Sequence, residues 1–252
     1  MGSPWGFYLL LIPAGFVAGI VNTIAGGGSF LTLPALMYLC GMDPKIANGT
    51  NRVAILLSSA SASVTFHKHG HLDRRLAIRL ATPTLLGAPL GALLAVYLPV
   101  DAFKPVFGVL FLLMALVLII DPKRLTRTIE HSGAPSRAII PVFFSIGIYV
   151  GFIQAGMGLL LLIAMSLLNT GDLVASNAIK NLIGFLVTLV AMTIFIIYGM
   201  VDWVPGLMMA VGNVLGGYVG AKLAIKKGNR LIFAFLVVVM VLTGVQLLRP
   251  AS

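Results

Sequence analysis

Two apolar runs in this chain, 5–40 and 138–168, are too long for one ordinary membrane crossing, and glycine interrupts both. The first breaks at AGGGSF (25–30) and the second at QAGMG (154–158). Six further apolar runs cover 46–66, 76–98, 103–120, 173–198, 204–225 and 231–248. A run of about 18 residues or more reaches across the roughly 30 Å of bilayer hydrocarbon, so the lipid is the solvent this sequence is written for. Composition agrees: 59% of residues are hydrophobic and 10% are charged, against about 25% charged in an ordinary soluble domain. So few charges cannot cover a water-facing surface.

The two broken runs each open a half of an internal repeat. GFVAG (15–19) matches GIYVG (147–151), DPKIANGTNR (43–52) matches DLVASNAIKN (172–181), and LLGAPLGALLA (85–95) matches VLGGYVGAKLA (214–224). This division predicts an N-terminal membrane repeat over 1–122, a cytoplasmic linker over 123–137 and a C-terminal membrane repeat over 138–252.

The formal net charge of +10 would suit nucleic acid if it formed a patch on a polar surface. Here Lys and Arg gather instead in connectors, at Lys68/Arg74/Arg75, Lys123/Arg124/Arg127/Arg137 and Lys226/Lys227/Arg230. That placement follows the tendency of basic loops to stay cytoplasmic, and no nucleic-acid partner is expected. Holding all three loops on one face requires each glycine-broken run to enter and return as a hairpin of two short segments. Each half is then a broken helix pair plus three transmembrane helices, an odd number of segments, and the second half is inverted relative to the first. Both termini fall outside, and Trp5, Tyr97, Tyr198 and Trp203 share the outer interface, where aromatic rings favour the headgroup zone. The alternative is eight simple spans with parallel halves, which breaks the charge rule in one loop. The fold class expected is therefore an all-α integral membrane protein built as an inverted repeat.

Broken helices at matched positions of inverted halves point to a transport site near the midplane. A half-helix that starts inside the membrane presents unpaired N–H groups and partial positive charge, and favours anions. Gly26, Gly27, Gly28 and Ser29 would form that end in the first half, Gly156 and Gly158 in the second. The other reading of such glycines is close helix crossing, the role expected for the GxxxG pairs Gly15/Gly19, Gly87/Gly91, Gly147/Gly151 and Gly212/Gly216/Gly220. Arg52 and Lys180 lie well inside matching spans, where a cation costs about 2.5–3.5 kcal/mol or more. All seven acidic residues stand in connectors or near span ends, so a bound anion would neutralise the pair; snorkelling to the interface is the alternative. Polar side chains recur at matched places, Asn22 with Gln154 and Asn48 with Asn177. Thr50 and Asn51 adjoin Arg52, and Asn181 adjoins Lys180. Arg52 and Lys180 are thus expected to line one anion site between the two breaks.

His67, His69 and His71 form HKHGH in a basic loop without a nearby Cys, which reads as an interfacial loop rather than a metal site. No HExxH, P-loop or GxSxG motif occurs, which argues against protease, ATPase and hydrolase chemistry; neither enzyme activity, cofactor nor metal is expected. Cys40 is the one cysteine, so no intrachain disulfide forms.

The stretch NTIAGGGSFLTLPALMYLCGMDPKIANGTNR (22–52) resembles the signature of the TauE/SafE family of sulfite exporters. It has a glycine cluster, then Leu31 to Pro34, Gly41 to Ala47 and Gly49/Thr50. The second half keeps Gly156 and Gly158 but has Ala178/Ile179 where the first has Gly-Thr. The resemblance implies export of sulfite or a small organosulfonate across the bacterial inner membrane. A membrane scaffold or assembly factor without transport activity is the rival class; it accounts for the hydrophobicity but not for paired breaks beside paired cations. An oligomer is possible on this reading.

Overall fold

The computed structural model describes residues 4–120, 136–167 and 173–226, together with 241 and 245. The run 231–248, most of the linker 123–137 and both termini lie outside the described residues. Nine helices are present among those described: α1 (Pro4–Ala25), α2 (Ser29–Leu39), α3 (Pro44–Lys68), α4 (Arg74–Tyr97), α5 (Val100–Ile120), α6 (Ser136–Phe152), α7 (Met157–Leu167), α8 (Leu173–Ile197) and α9 (Trp203–Lys226). Among the described residues, four segments, Gly6–Ala25, Arg74–Tyr97, Val174–Ile197 and Trp203–Ala224, are long and apolar enough to cross a membrane. The element order long–short–long–long at α1–α4 recurs at α6–α9 with the breaks where the glycines stand.

Sequence explains each break. α1 stops at Ala25 because Gly26 takes a φ of +79°, which places its N–H on Asn22 O at 2.8 Å and closes the helix end. Gly156, with φ +75°, makes the corresponding reversal before α7. At α3, Asp43 caps the first turn by accepting from the Lys45 N–H at 2.8 Å, with Pro44 as the first helical residue. α4 starts in the same way from Asp73.

Packing runs across the halves. α1 lies on α9 and α4 on α6, while α3 packs against both α8 and α9. The GxxxG glycines are where these backbones approach: a Cβ at Gly15 would come within 2.3 Å of Met209 O, and one at Gly151 within 2.0 Å of Ala88 O. With no hydrophobic gain between helices in lipid, such close backbone contact supplies the association through dispersion. The C-terminal ends of α4 and α8 meet, with the Tyr97 and Tyr198 hydroxyls 2.7 Å apart and their rings edge-on at 5.7 Å. Eight simple spans would put these two tyrosines on opposite faces.

The lipid-facing and interior faces divide as the bilayer demands. Leu86, Leu90 and Leu94 of α4 and Val211 and Leu215 of α9 are exposed. α3, although 25 residues long, buries Asn48, Thr50, Asn51, Arg52, Ser58, Ser59 and Ser63. The most polar of the long helices is thus the central one.

Candidate functional site

The two breaks meet inside the protein. The Gly158 N–H donates to Gly26 O at 3.2 Å, and a Cβ on Gly26 would sit 2.3 Å from Gly158 Cα. Gly27, Gly28 and Ser29 are buried beside this crossing, and Gly28 rests on the Ala18 carbonyl and the Asn22 side chain. All fourteen residues expected to line the site are buried. They do not gather at one point.

Around Arg52, the chain brings together α3 and the C-terminal end of α6. Arg52 is 0% exposed. Its Nη2 donates to Val150 O at 3.1 Å and to Gly151 O at 2.6 Å, and the Asn48 amide nitrogen donates to Phe152 O at 2.8 Å. These are the last carbonyls of a helix broken by design, which carry partial negative charge, so the cation and the helix end stabilise one another. The Phe195 ring lies 4.5 Å from Arg52 Cζ and adds a cation–π contact. Arg52 Nε and Nη1 are buried without any hydrogen-bond partner, as is Asn48 Oδ1. A guanidinium carries five N–H donors, and those on Nε and Nη1 account for three of them. Leaving them unpaired costs about 1–3 kcal/mol or more, a cost that any acceptor reaching them would remove.

Around Lys180, the mirror arrangement is complete. Its Nζ donates to Asn22 O at 3.2 Å, Thr23 O at 2.7 Å and Asn177 Oδ1 at 2.7 Å. The first two acceptors are carbonyls at the end of α1. Three acceptors use all three donors of an ammonium. Arg52 on α3 therefore caps the end of α6, and Lys180 on α8 the end of α1. Lys180 stands fifteen residues before Phe195 on α8, about 22 Å of helix axis from the level of Arg52. The structure thus separates the two cations along the α8 axis instead of placing them side by side.

The remaining expected residues serve as framing. Asn51 donates to Ser29 Oγ at 3.1 Å and accepts from Thr32 Oγ1 at 2.5 Å, tying α3 to the first turn of α2. Thr50 accepts from the Asp202 N–H at 2.9 Å, and Asn181 donates to Asn177 O at 2.8 Å. Gln154 donates through Nε2 to Thr188 Oγ1, while its Oε1 is buried and unpartnered. Gly156 lies against Phe30 and Met114. Lys45 adds a third example of a buried cation on a helix end, donating to Val96 O and Leu98 O at 2.7 and 2.8 Å. In the histidine loop, His69 Nδ1 lies 2.8 Å from Thr65 O and His67 Nε2 3.0 Å from Arg74.

Sequence reasoning passed over Ser58, Ser59, Ser63, Thr23 and Asn213, all buried with side-chain atoms lacking partners. The signal was present in SSASASVT (58–65), a density of hydroxyls uncommon in a span whose neighbours are Leu and Ile.

Comparison with known proteins agrees with this picture. The family model of the sulfite exporter TauE/SafE matches residues 11–247. A probable membrane transporter protein from Sinorhizobium is 31% identical over 252 residues, covering 98% of this chain and 95% of its own. Others from Haemophilus influenzae and Escherichia coli K12 are 30% and 31% identical, over 91% and 92% of this chain and 89% and 86% of their own. No solved structure matches. With a buried, partly unpaired arginine between broken helices and a family match along nearly its whole length, this multi-pass membrane protein belongs to the TauE/SafE family of membrane transporters.

Proposed function

We propose that the protein exports a small oxyanion, sulfite or an organosulfonate, across the cell inner membrane by alternating access between two inverted repeats, 1–122 and 138–252, joined by a cytoplasmic linker at 123–137. Both termini face outward in this arrangement. The Tyr97–Tyr198 contact supports inversion, because parallel halves separate those residues. The observation that carries the substrate class is Arg52: a fully buried guanidinium with Nε and Nη1 free. Both two-nitrogen edges of a guanidinium include Nη2, which the α6 carbonyls occupy, so the fork offers its remaining in-plane donors, on Nε and on Nη1, singly to anion oxygens.

Asn48, Gly151 and Phe195 hold the fork in place; Lys180, Asn22, Asn177, Asn181 and Gln154, with Gly26, Gly27, Gly28, Ser29, Gly156 and Gly158 at the breaks and Thr50 and Asn51 on α3, form the frame around it. The sequence has no intramembrane carboxylate to relay protons. An inside-negative potential favours anion exit by about 2.3 kcal/mol per charge per 100 mV, so export needs no coupled ion.

The test is flux in proteoliposomes holding the purified protein alone, offered sulfite, sulfate, thiosulfate, taurine and sulfoacetate. Flux of at least one of them should follow an imposed potential with the proton gradient collapsed. Flux that follows the proton gradient at zero potential rules out uniport, and no flux of any oxyanion returns the scaffold reading.

A further inference from the structure

On α3, Asn48, Arg52, Ser59 and Ser63 follow one another at spacings of four, seven and four residues, which places them on a single stripe of a helix. Each keeps a buried side-chain atom without a hydrogen-bond partner: Asn48 Oδ1, Arg52 Nε and Nη1, Ser59 Oγ and Ser63 Oγ. Helical hydroxyls inside a membrane ordinarily satisfy themselves on the carbonyl four residues back. Thr65, Thr84 and Thr193 do so here, at 2.9, 2.7 and 2.9 Å. The two serines of the stripe do not.

The stripe faces α8, at the junction between the halves. Gly49 approaches Phe195 and Met200, and Gly184 lies opposite Ser59, so α3 and α8 run antiparallel. Continuing that register by one turn brings Ser63 level with Lys180. Eleven residues separate Arg52 from Ser63, about 16 Å of rise. Between them sits Met157, the first residue of α7, whose Cε lies 2.7 Å from where a Cβ on Gly184 would be. An unbranched thioether is an adaptable filler, and here it closes a line of polar atoms with one apolar group. At the same end of α3, on its face toward α9, a cavity of about 520 Å³ is lined by Ser61, Val64, Lys68, His69, Tyr218 and Lys222.

We infer that the anion's route runs from Arg52 along this stripe, that Ser59 and Ser63 form a second, hydroxyl-lined station, and that Met157 closes the passage between the two. The hydroxyls donate to a tetrahedral or pyramidal oxyanion as it leaves the arginine, and the basic side chains Lys68 and Lys222 stand at the end of the bundle toward which it moves. This rests on the oxyanion reading proposed above.

The test uses single cysteines in a Cys40→Ser background of the full chain in proteoliposomes, probed with membrane-impermeant sulfonatoethyl methanethiosulfonate. Ser59→Cys and Ser63→Cys should react at least tenfold faster than Ala54→Cys, which is buried on another face of α3. Reagent applied on the Lys68 side should reach Ser63→Cys directly. Reagent applied on the Tyr97 side should reach it only when Met157→Ala is added. Size-exclusion profiles matching the parent establish folding, and the two serine positions serve as independent probes. If neither reacts faster than Ala54→Cys, the route is wrong; if both react equally from either side with Met157 intact, the closure is wrong. Methanesulfonate should slow labelling. Labelling that methanesulfonate leaves untouched, in a protein that moves no oxyanion, removes the oxyanion reading while the hydrated route stands.

Discussion

Arg52 and Lys180 occupy adjacent columns of the repeat and perform the same structural task, each stabilising the carbonyl end of the other half's broken helix. They differ in what is left over. Lys180 spreads its charge over three acceptors and has no donor remaining, whereas Arg52 commits one nitrogen and leaves two. The two broken helices thus end on caps of two kinds, one closed at Lys180 and one open at Arg52. The choice of side chain decides which is which: a compact ammonium can be saturated by a helix end, while a planar fork reaches past it.

That contrast is open to direct attack, and Arg52→Ala should give the largest effect. Losing charged hydrogen bonds of about 1.5–3 kcal/mol lowers oxyanion affinity by about 10- to 150-fold. Arg52→Lys retains charge without the fork and should recover only part of it. Lys180→Met, by contrast, takes the charged donor from Thr23 O and Asn177 Oδ1, while Asn22 O keeps the Gly26 N–H. It should lower unfolding stability in detergent by about 1–3 kcal/mol or more while affinity per folded molecule changes much less than in Arg52→Ala. Lys104→Ala, an exposed cation of the same charge, is the control. Binding titrations and chemical unfolding on the same preparations separate the two. Equal affinity losses at Arg52 and Lys180 would make both copies open, and parental binding in both variants would leave neither with a ligand.

The next effect concerns the breaks that the cations cap. Gly26→Ala meets two obstacles, a left-handed φ and Gly158 backbone at 2.3 Å. These cost about 1–3 kcal/mol for the dihedral and a further 1–3 kcal/mol for the overlap. Gly156→Ala meets the same φ, but its new methyl faces the Phe30 ring edge at 3.0 Å and the Met114 side chain at 3.2 Å, which can shift. Gly26→Ala should therefore be the less stable by about 1–3 kcal/mol, measured by unfolding in detergent. The reverse order would mean that the halves do not meet at Gly26 and Gly158.

Much of this architecture was legible because membrane sequences write their exceptions plainly. Glycines inside apolar runs marked both breaks, and cations inside apolar runs marked both caps. The GxxxG pairs marked the α1–α9 and α4–α6 crossings. The partners of the cations were not legible. Val150 and Gly151 offer only backbone carbonyls to Arg52, and any residue has one of those; the assignment needs the tertiary contact between α3 and α6. For the same reason the Gly158 N–H, expected to face a ligand, is spent on Gly26 O. Ser59 and Ser63 escaped notice because serine in a span reads as small before it reads as polar. Only the periodicity with Asn48 and Arg52 separates the two meanings.

The smallest effect expected on transport, and the one that bears most directly on how the two copies are related, lies at Tyr97 and Tyr198. Both are exposed, and they share one hydroxyl contact at 2.7 Å, so Tyr97→Cys and Tyr198→Cys in a Cys40→Ser background should leave flux close to that background's. Their value is geometric. In the inverted arrangement α4 and α8 both end at the outer face; with eight simple spans and one basic loop misplaced, α4 ends outside and α8 inside. An impermeant maleimide added to right-side-out vesicles should then label both cysteines, and a prior quench from the inside should protect neither. Labelling from opposite faces would break the inversion and, with it, the premise that Arg52 and Lys180 are two copies of one motif entered from opposite sides. Labelling from the same face sharpens the comparison, because the contrast between an open and a closed copy then belongs to the two faces of the membrane, with Arg52 nearer the outer face and Lys180 nearer the cytoplasm.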